Sequence, residues 1–353
     1  MNEGWKDTLK LAAAGAGALL AARFVYERLS EYDLAGKTVL VTGGSRGLGL
    51  VLARGFAAEG ANVAVCARDP RELERARADL AARGANAFAF PCDVTDRAQV
   101  RELVEVVTRH FGRVDVLVNN AGVIQVGPLE TMTLEDFERA MAVHFWGPLY
   151  TTLAVLPQMR ARREGRIVNV SSIGGKISVP HLVPYSASKF ALAGLSDGLR
   201  AELAKDGVVV TSVFPGLMRT GSPRNADFKG RHRAEYAWFA VSDSLPVTSI
   251  GAERAAAQII RACRRGRAEL VITTQAQAAV KFRTLFPEAT ADLLAAVNRL
   301  LPGPGGIGRA SAKGRESESA LAPSLLTTLT EWAARRNNEI PAPGVSGEPA
   351  PTR

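Results

Sequence analysis

Short apolar runs alternate with amphipathic stretches between Lys37 and Thr274, and this alternation constrains the fold more than any other feature of the sequence. Each run is rich in β-branched residues and almost continuously apolar, which is typical of a strand buried on both faces of a sheet. Strands of this kind, separated by helices, form a parallel sheet covered on both sides. We therefore expect a single doubly wound α/β domain over residues 33–275. Its seven predicted strands are residues 37–43, 62–67, 86–93, 114–122, 165–172, 208–216 and 268–273.

The segment 1–32 precedes this domain and contains an apolar run, LAAAGAGALLAA, at 11–22. This run is shorter than the ~20 residues that a helix needs to span a bilayer core. Three interpretations stay open: a helix packed on protein, an anchor lying in the membrane interface, and a weak transmembrane segment. We expect an apolar N-terminal helix, with peripheral membrane contact as one of its roles.

A C-terminal helical extension is predicted at residues 276–340. Amphipathic patterns predict helices at 276–301 and 324–339. The stretch between them, 302–320, is rich in Pro, Gly and Ser, which indicates a linker. Residues 341–353 have the composition of a disordered tail.

Charge and cysteine content narrow the classes of function. The net charge is +9, but the basic runs lack interleaved aromatic residues, so no nucleic-acid partner is expected. A basic face instead favours contact with anionic lipid. The cysteines, Cys66, Cys92 and Cys263, are far apart and form no C-x-x-C motif. This spacing predicts reduced thiols, a cytoplasmic setting and no metal site.

The sequence TGGSRGLG at 42–49 follows the first strand directly and opens a helix. Glycines at such a turn allow positive φ and a close approach of the backbone to a ligand. The N-terminus of the helix adds unpaired N–H groups and the positive end of the helix dipole, which together bind phosphate. In this strand–turn–helix context the motif predicts a dinucleotide site. Its candidate residues are Gly43, Ser45, Arg46, Gly47, Leu48 and Gly49.

The end of the second strand indicates which dinucleotide binds. An acidic residue there would bind the adenosine ribose hydroxyls of NAD and repel a 2′-phosphate. Here the strand ends VAVCAR, so Arg68 takes that position, and Arg46 lies within the glycine turn. Asp69 follows directly and opposes this charge. Two cations next to the ribose favour NADP(H) over NAD(H).

Two more strand ends complete the predicted nucleotide cleft. Asp93 and Val94 follow the third strand, where the carboxylate is placed to accept a hydrogen bond from the adenine amino group. The fourth strand ends NNAG, which puts Asn120, Ala121 and Gly122 at the crevice where an open α/β sheet binds its ligand.

Tyr185 and Lys189 are four residues apart in PYSASKFALAGL, so on a helix they share one face. A free tyrosine has a pKa of ~10, and a nearby ammonium group favours the phenolate. Ser172 ends the preceding strand, thirteen residues before Tyr185, where its hydroxyl can hydrogen-bond a substrate oxygen. Together the three residues predict a site that exchanges a proton with a substrate oxygen.

Residues 37–273 resemble a short-chain dehydrogenase/reductase of the NADP-preferring type. The motifs TGGSRGLG, NNAG, VNVSS, YSASK and PGLMRT match that family in order and spacing. The resemblance implies a Rossmann-type domain and hydride transfer between a nicotinamide and a carbonyl or alcohol carbon. It implies that Tyr185 is the general acid in reduction and the base in oxidation, that Lys189 binds the nicotinamide ribose and tunes the tyrosine, and that Ser172 polarises the carbonyl. It also places the loop near the nicotinamide, with Pro215, Gly216 and Thr220.

His144 stands where the family usually has an asparagine, in the stretch AVHFWG. The family asparagine is thought to hold a water that links the lysine to bulk solvent. Imidazole donates and accepts hydrogen bonds, so His144 is predicted to hold that water or to relay the proton itself. The alternatives are a purely structural histidine and an impaired site.

We expect an NADP(H)-dependent oxidoreductase that acts on a small-molecule carbonyl or alcohol. The stretch YAWFAV at 236–241 lies in the segment that covers substrate in this family and suggests an apolar substrate. Packing of these aromatics onto the domain is the alternative. A membrane-surface lipid-type ketone reductase and a nucleotide-binding scaffold with little turnover are the competing functions. Helices at 133–162 and 185–205 pair subunits in this family, so a homodimer or homotetramer is expected.

Overall fold

A parallel sheet of seven strands lies at the centre of the computed structural model, which describes residues 15, 17, 31–246 and 248–340. The strands are β1 (Thr38–Thr42), β2 (Asn62–Ala67), β3 (Ala87–Pro91), β4 (Val116–Asn119), β5 (Gly165–Val170), β6 (Val208–Pro215) and β7 (Glu269–Ile272). All neighbours pair in parallel, in the order β7-β6-β5-β4-β1-β2-β3. The predicted doubly wound fold is therefore confirmed. Because the order reverses between β1 and β4, their carboxyl ends flank a crevice suited to a ligand.

Helices cover both faces of this sheet. The α-helices among the described residues are α1 (Gly47–Ala58), α2 (Pro70–Ala82), α3 (Arg97–Phe111), α4 (Leu134–Met141), α5 (Gly147–Arg162), α6 (Val183–Leu203), α7 (His232–Ser244), α8 (Ala252–Arg264), α9 (Thr274–Leu285), α10 (Pro287–Asn298) and α11 (Thr328–Arg336). Helices α1, α2 and α8 contribute to the core on one face, and α3, α5 and α6 to the core on the other. Strand β1 contributes side chains to both cores: Val39 and Val41 lie in the first core, and Leu40 lies in the second.

A π-helical segment, Ala142–Trp146, joins α4 to α5 and contains His144. The predicted long helix at 133–162 is therefore interrupted by a wider turn. Such segments re-aim the side chains that they carry and are frequent at functional sites. Here the wide turn places His144 in the interior, where its side chain is almost completely buried.

A third, smaller core lies beside the crevice and contains the aromatic residues of 236–241. Tyr236 and Phe239 are buried and pack edge-on against Phe228. Neither of them lines the cavity that lies next to the glycine turn at 42–49. The packing alternative for these aromatics therefore holds, because they form the core that holds α7 onto the domain rather than a surface for substrate.

The C-terminal extension differs from the predicted pattern in two ways. The helix expected at 276–301 is two helices, α9 and α10, because Pro287 cannot donate the backbone hydrogen bond that would continue the first of them. The expected linker at 302–320 packs on the domain: Ala312–Lys313 pairs antiparallel with Asp227–Phe228, and Gly314 N–H donates to the carbonyl oxygen of Ala226.

The N-terminal segment 1–32 and the tail 341–353 fall outside the described residues, except for positions 15, 17, 31 and 32. Within the part of the chain that is described, no helix combines the length and the apolarity needed to cross a bilayer. Cys66, Cys92 and Cys263 are all buried and free of disulfide bonds.

Candidate active site

The glycine turn after β1 is packed too tightly to accept side chains. Gly43 has a φ of +64°, and a Cβ added to it would lie 2.8 Å from the Cα of Ala121. A Cβ added to Gly49 would lie 2.0 Å from the carbonyl oxygen of Gly43. Asn120 fixes this geometry because its Nδ2 donates to the carbonyl oxygens of Thr42, at 3.1 Å, and Gly43, at 3.2 Å. The turn therefore sits directly over the crevice between β1 and β4.

A cavity of about 510 Å³ collects most of the residues that the sequence predicted for the site. Pro215 and Gly216 lie at the end of β6 outside its lining, and so does Ser172, which follows β5. The predicted residues that line it are Gly43, Ser45, Arg46, Gly47, Leu48, Gly49, Arg68, Asp93, Val94, Asn120, Ala121, Gly122, His144, Tyr185, Lys189 and Thr220.

The charges at the end of this cavity next to Arg46 and Arg68 include a carboxylate that the sequence analysis missed. Glu72 pairs with Arg46, with 2.6 Å between Oε1 and Nη1, and accepts a hydrogen bond from Ser45 Oγ at 3.0 Å. Asp69 caps α2 by accepting from the amides of Arg71 and Glu72. Arg68 is exposed at the cavity and has no hydrogen-bond or ion-pair partner among the described residues. The cation that stays available to a ligand is therefore Arg68.

Tyr185 and Lys189 lie on the first turns of α6, above the end of β5. Lys189 Nζ donates to the carbonyl oxygen of Val170 at 2.9 Å and lies 5.7 Å from the centre of the Tyr185 ring. Burial lowers the pKa of Lys189 to about 7. Burial also raises the pKa of the Tyr185 hydroxyl; its hydrogen bond with Ser172 opposes this effect, and the charge of Asp243 adds to it.

His144 has protein partners at both ring nitrogens. Nε2 accepts a hydrogen bond from Val123 N–H at 3.1 Å, and Nδ1 lies 2.8 Å from Ser188 Oγ. Ser188 donates its own proton to the carbonyl oxygen of Tyr185, so Nδ1 must carry the hydrogen of a neutral imidazole. Burial and then the nearby charge of Lys189 hold the pKa of His144 well below its usual range.

These contacts change the interpretation of His144. A histidine that held a water or relayed a proton would need a ring nitrogen free to do so, and both nitrogens are engaged within the protein. The structural alternative fits better: His144 connects the loop after β4 to the second turn of α6, through Ser188. Its ring also packs edge-on against Tyr185, with 5.4 Å between ring centres, so it is placed to orient that residue.

The C-terminal residues bring a further carboxylate into the cavity. Glu339 lines the cavity beside Gly47, and its side chain accepts a hydrogen bond from Asn225. Nothing in the local sequence around 339 indicates such a position, because the approach depends on how α11 packs against α7.

The family model for short chain dehydrogenases matches residues 37–228. The chain belongs to this family. A relative from Anopheles gambiae, "Dehydrogenase/reductase SDR family protein 7-like", is 40% identical over 205 residues. That match covers 57% of this chain and 65% of the Anopheles protein, which is just under two thirds of the relative's length.

Solved structures of the same family resemble this chain in fold. A short-chain dehydrogenase/reductase from Burkholderia phymatum in complex with NAD has a TM-score of 0.68 at 27% identity and covers 73% of this chain and 96% of its own. A gluconate 5-dehydrogenase from Burkholderia cenocepacia in complex with NADP and tartrate has a TM-score of 0.63 at 27% identity, with coverages of 71% and 99%. The family resemblance is confirmed, and a nicotinamide dinucleotide is supported as the class of cofactor.

Replacing His144 tests its role as a neutral, buried connector. We expect His144→Ala to lower the free energy of unfolding by about 1–3 kcal/mol, because the Val123 N–H loses the acceptor that His144 Nε2 provides. Ser188→Ala is the companion variant, since it removes the partner of Nδ1 and leaves that of Nε2. We expect it also to cost about 1–3 kcal/mol in urea unfolding, because the buried Nδ1–H of His144 is left without its acceptor.

The pH dependence of stability gives a second measurement on the same residue. The pKa of His144 is lowered in the folded chain, so below pH ~6.5 the unfolded chain takes up a proton that the folded chain does not. The wild type should therefore lose up to ~1.4 kcal/mol of stability per pH unit below that point, relative to His144→Asn. Equal slopes for the two proteins between pH 7.5 and 5.5 would contradict a neutral His144.

Proposed function

We propose that this chain is an NADP(H)-dependent oxidoreductase that interconverts a carbonyl and an alcohol. The observation that carries the proposal is the shared cavity: Tyr185 and Lys189 line the same space as the glycine turn. A titratable hydroxyl, an ammonium group and a phosphate-binding helix end therefore meet in one place.

The residues present fit a dinucleotide. The backbone at Gly43 and Gly49 has no room for side chains, and α1 begins at the crevice, where its first amide, that of Gly47, is bonded to the carbonyl oxygen of Asn337. Val94, Asn120 and Thr220 lie along the same cavity. When bound, a nicotinamide supplies the group that gives or takes a hydride.

The residues of the chain supply the proton. In reduction, Tyr185 donates the proton of its hydroxyl to the carbonyl oxygen, and in oxidation the phenolate takes a proton from the alcohol. Burial keeps Tyr185 in the neutral form that can donate, because it raises the pKa of the hydroxyl. Ser172, which hydrogen-bonds Tyr185 from outside the cavity lining, is proposed to bind the same substrate oxygen, and the Lys189 ammonium stabilises the phenolate that is left.

Removing the Tyr185 hydroxyl tests this assignment. We expect Tyr185→Phe to lower kcat with a ketone substrate by at least about 10²-fold, with the Kd for NADPH little changed, because only the proton donor is lost. Tyr150→Phe, at a half-buried tyrosine on α5, is the matched control and should keep full turnover. Wild-type turnover in Tyr185→Phe would reject the assignment, and tight cofactor binding by the wild type without turnover on any carbonyl would favour the scaffold function.

The preference for NADP(H) is proposed from Arg68. A 2′-phosphate adds charge at the adenosine ribose, and Arg68 is the cation there that has no carboxylate partner among the described residues. Arg46 is neutralised by Glu72, so it contributes less until that pair opens.

Arg68→Ala should therefore weaken NADPH binding by about tenfold or more, the value of one charge-assisted hydrogen bond of ~1.5–3 kcal/mol, and leave NADH binding unchanged. Arg77→Ala on α2 is the matched control because Arg77 pairs with Glu74 and does not line the cavity. Fluorescence titration with both nucleotides gives the comparison. A wild type that binds NADH more tightly than NADPH would overturn the preference.

The proposed substrate is a carbonyl compound with an apolar body. Support comes from Ile124, Val143 and Met218, which line the cavity. The aromatics of α7 no longer support it, because they pack in the third core.

A homodimer or homotetramer is proposed from exposed apolar side chains on the helices expected to pair subunits. Phe190 is exposed on α6, Leu153 on α5, and Trp146 on the segment before α5. A second copy of the chain would bury these side chains.

Attachment to a membrane surface is the second candidate, and α9 and α10 favour it. The exposed side chains of these helices include Phe282, Leu285 and Leu293, and Phe286, which lies between the two helices, is exposed as well. Side chains of this kind insert into the interface of a bilayer when they stand together on one surface.

Vesicle binding tests this second candidate. We expect the full chain to sediment with vesicles of phosphatidylserine and phosphatidylcholine, and the double variant Leu285→Ser, Phe286→Ser to bind less. The double variant Leu129→Ser, Leu134→Ser is the matched control, since Leu134 is 69% exposed and Leu285 is 70% exposed. Equal binding by all three proteins, or none by the wild type, would reject attachment through α9 and α10.

A further inference from the structure

The C-terminal residues 324–340, which we name the strap, cross the cavity from the α7 side to the glycine turn. On the α7 side, Ser244 donates a hydrogen bond to Thr330, and Arg224 pairs with Glu331 at 3.0 Å. Gly221 is packed so closely on the strap that an added Cβ would lie 2.5 Å from the Cβ of Ala334. The strap is therefore anchored on α7 and on the segment 221–224 that precedes it.

On the other side, the strap bonds to the elements that build the glycine turn. The carbonyl oxygen of Asn337 accepts from the amide of Gly47 at 2.9 Å. Asn338 Nδ2 donates to the carbonyl oxygens of Ser45, at 2.8 Å, and Glu72, at 3.1 Å. Arginines of α1 and α2 hold the side chains of the same two residues.

Glu339 follows these contacts and is half-buried against the turn. A Cβ added to Gly47 would lie 2.6 Å from Glu339 Oε1, so no further atom fits between them. Asn225 donates a hydrogen bond to the other carboxylate oxygen. The strap therefore brings a carboxylate to the first residue of α1, at the end of the helix that attracts anions.

The groups that the strap offers to α1 are acceptors. The Asn337 carbonyl oxygen takes the hydrogen of the first amide of the helix, and the Glu339 carboxylate takes the space beside it. A phosphate bound at a helix N-terminus needs these same N–H groups and the same space. An element that completed a phosphate site would instead offer donors. The strap and the diphosphate of a dinucleotide therefore exclude each other.

We propose that the strap is a built-in competitor of the cofactor: residues 337–340 occupy the diphosphate end of α1 and must leave before the dinucleotide binds. This inference rests on the proposed function, because it assumes that a dinucleotide enters the cavity. The apparent affinity for the cofactor is then reduced by the fraction of molecules in which the strap is bound.

The environment of Glu339 makes this competition depend on pH. Burial raises the pKa of Glu339 to about 7, with Glu72 adding to the effect and with Arg46, Arg224 and the Asn225 hydrogen bond opposing it. Asp243, on α7, is a further titratable group that interacts with it, and burial raises the pKa of Asp243 to about 8. A released Glu339 returns to the ordinary pKa of ~4.3, so release gives up a proton between these values. The bound strap is thus favoured at low pH and is released more easily as the pH rises towards about 7.

Truncation tests the competition directly. A chain that ends at Arg336 lacks the competing residues, and a chain that ends at Ile340 lacks only the tail 341–353 and is the matched control. We expect the first to bind NADPH at least about tenfold more tightly than the second at pH 6.5. Asn338→Ala removes the hydrogen bonds to Ser45 and Glu72, so in the full chain it should also lower the Kd for NADPH. Unchanged or weaker binding in both variants would overturn the inference.

Hydrogen exchange on the full wild-type chain gives an independent measurement. Addition of NADPH should speed exchange of the amides at 334–340, because the strap leaves as the cofactor enters. Slower exchange there would overturn the inference, since it would mean that the strap closes over the bound cofactor. Failure of the chain that ends at Arg336, as well as of the control chain and the wild type, to bind either NADPH or NADH would instead reject the proposed function, and the inference with it.

The pH dependence of NADPH binding is tested with Glu339→Gln, whose side chain cannot lose a proton. The affinity of the wild type for NADPH should rise by up to about tenfold per pH unit between pH 5.5 and 7. Glu339→Gln should lack this increase and bind at pH 7.5 as weakly as the wild type does at low pH. Parallel pH profiles for the two proteins would reject the role of Glu339.

Discussion

The close approach of Gly43 to Ala121 is the contact on which the rest of the site depends. It brings the ends of β1 and β4 together at the point where the strand order reverses, and it leaves no room for a side chain on Gly43. The side-chain amide of Asn120 stabilises the contact because it donates hydrogen bonds to the carbonyl oxygens of Thr42 and Gly43. The N-terminus of α1 is aimed into the crevice as a result, and this fixes where a phosphate and its competitors can bind.

The end of the cavity that contains Tyr185 and Lys189 is held by buried polar contacts. Lys189 is tied to the end of β5 through the Val170 carbonyl oxygen, and Ser188 on the same helix connects to His144. These contacts determine where the Tyr185 hydroxyl stands relative to the glycine turn. Burial destabilises the charged form of each side chain, the ammonium of Lys189 and the phenolate of Tyr185. The pKa of Lys189 is therefore lowered and that of Tyr185 is raised.

Much of this arrangement could be predicted from local patterns. The seven strands, the glycine turn and the grouping of Tyr185 and Lys189 all depend on short-range periodicity and on motif spacing, which a sequence displays directly. The partners of His144 could not, because Val123 and Ser188 reach it from two other parts of the fold. For the same reason, the aromatics of α7 were open to two interpretations until their packing against Phe228 was known.

By itself, the sequence determined the doubly wound sheet, the family and the set of residues available for chemistry, since apolar periodicity and motif spacing are properties of the chain order. Only the tertiary structure decided which of these residues are free to act. Glu72 is paired with Arg46, both nitrogens of His144 are engaged, and the strap places Glu339 on the first residue of α1. The physical reason is that each of these outcomes depends on a hydrogen bond or a close contact between segments distant in the chain.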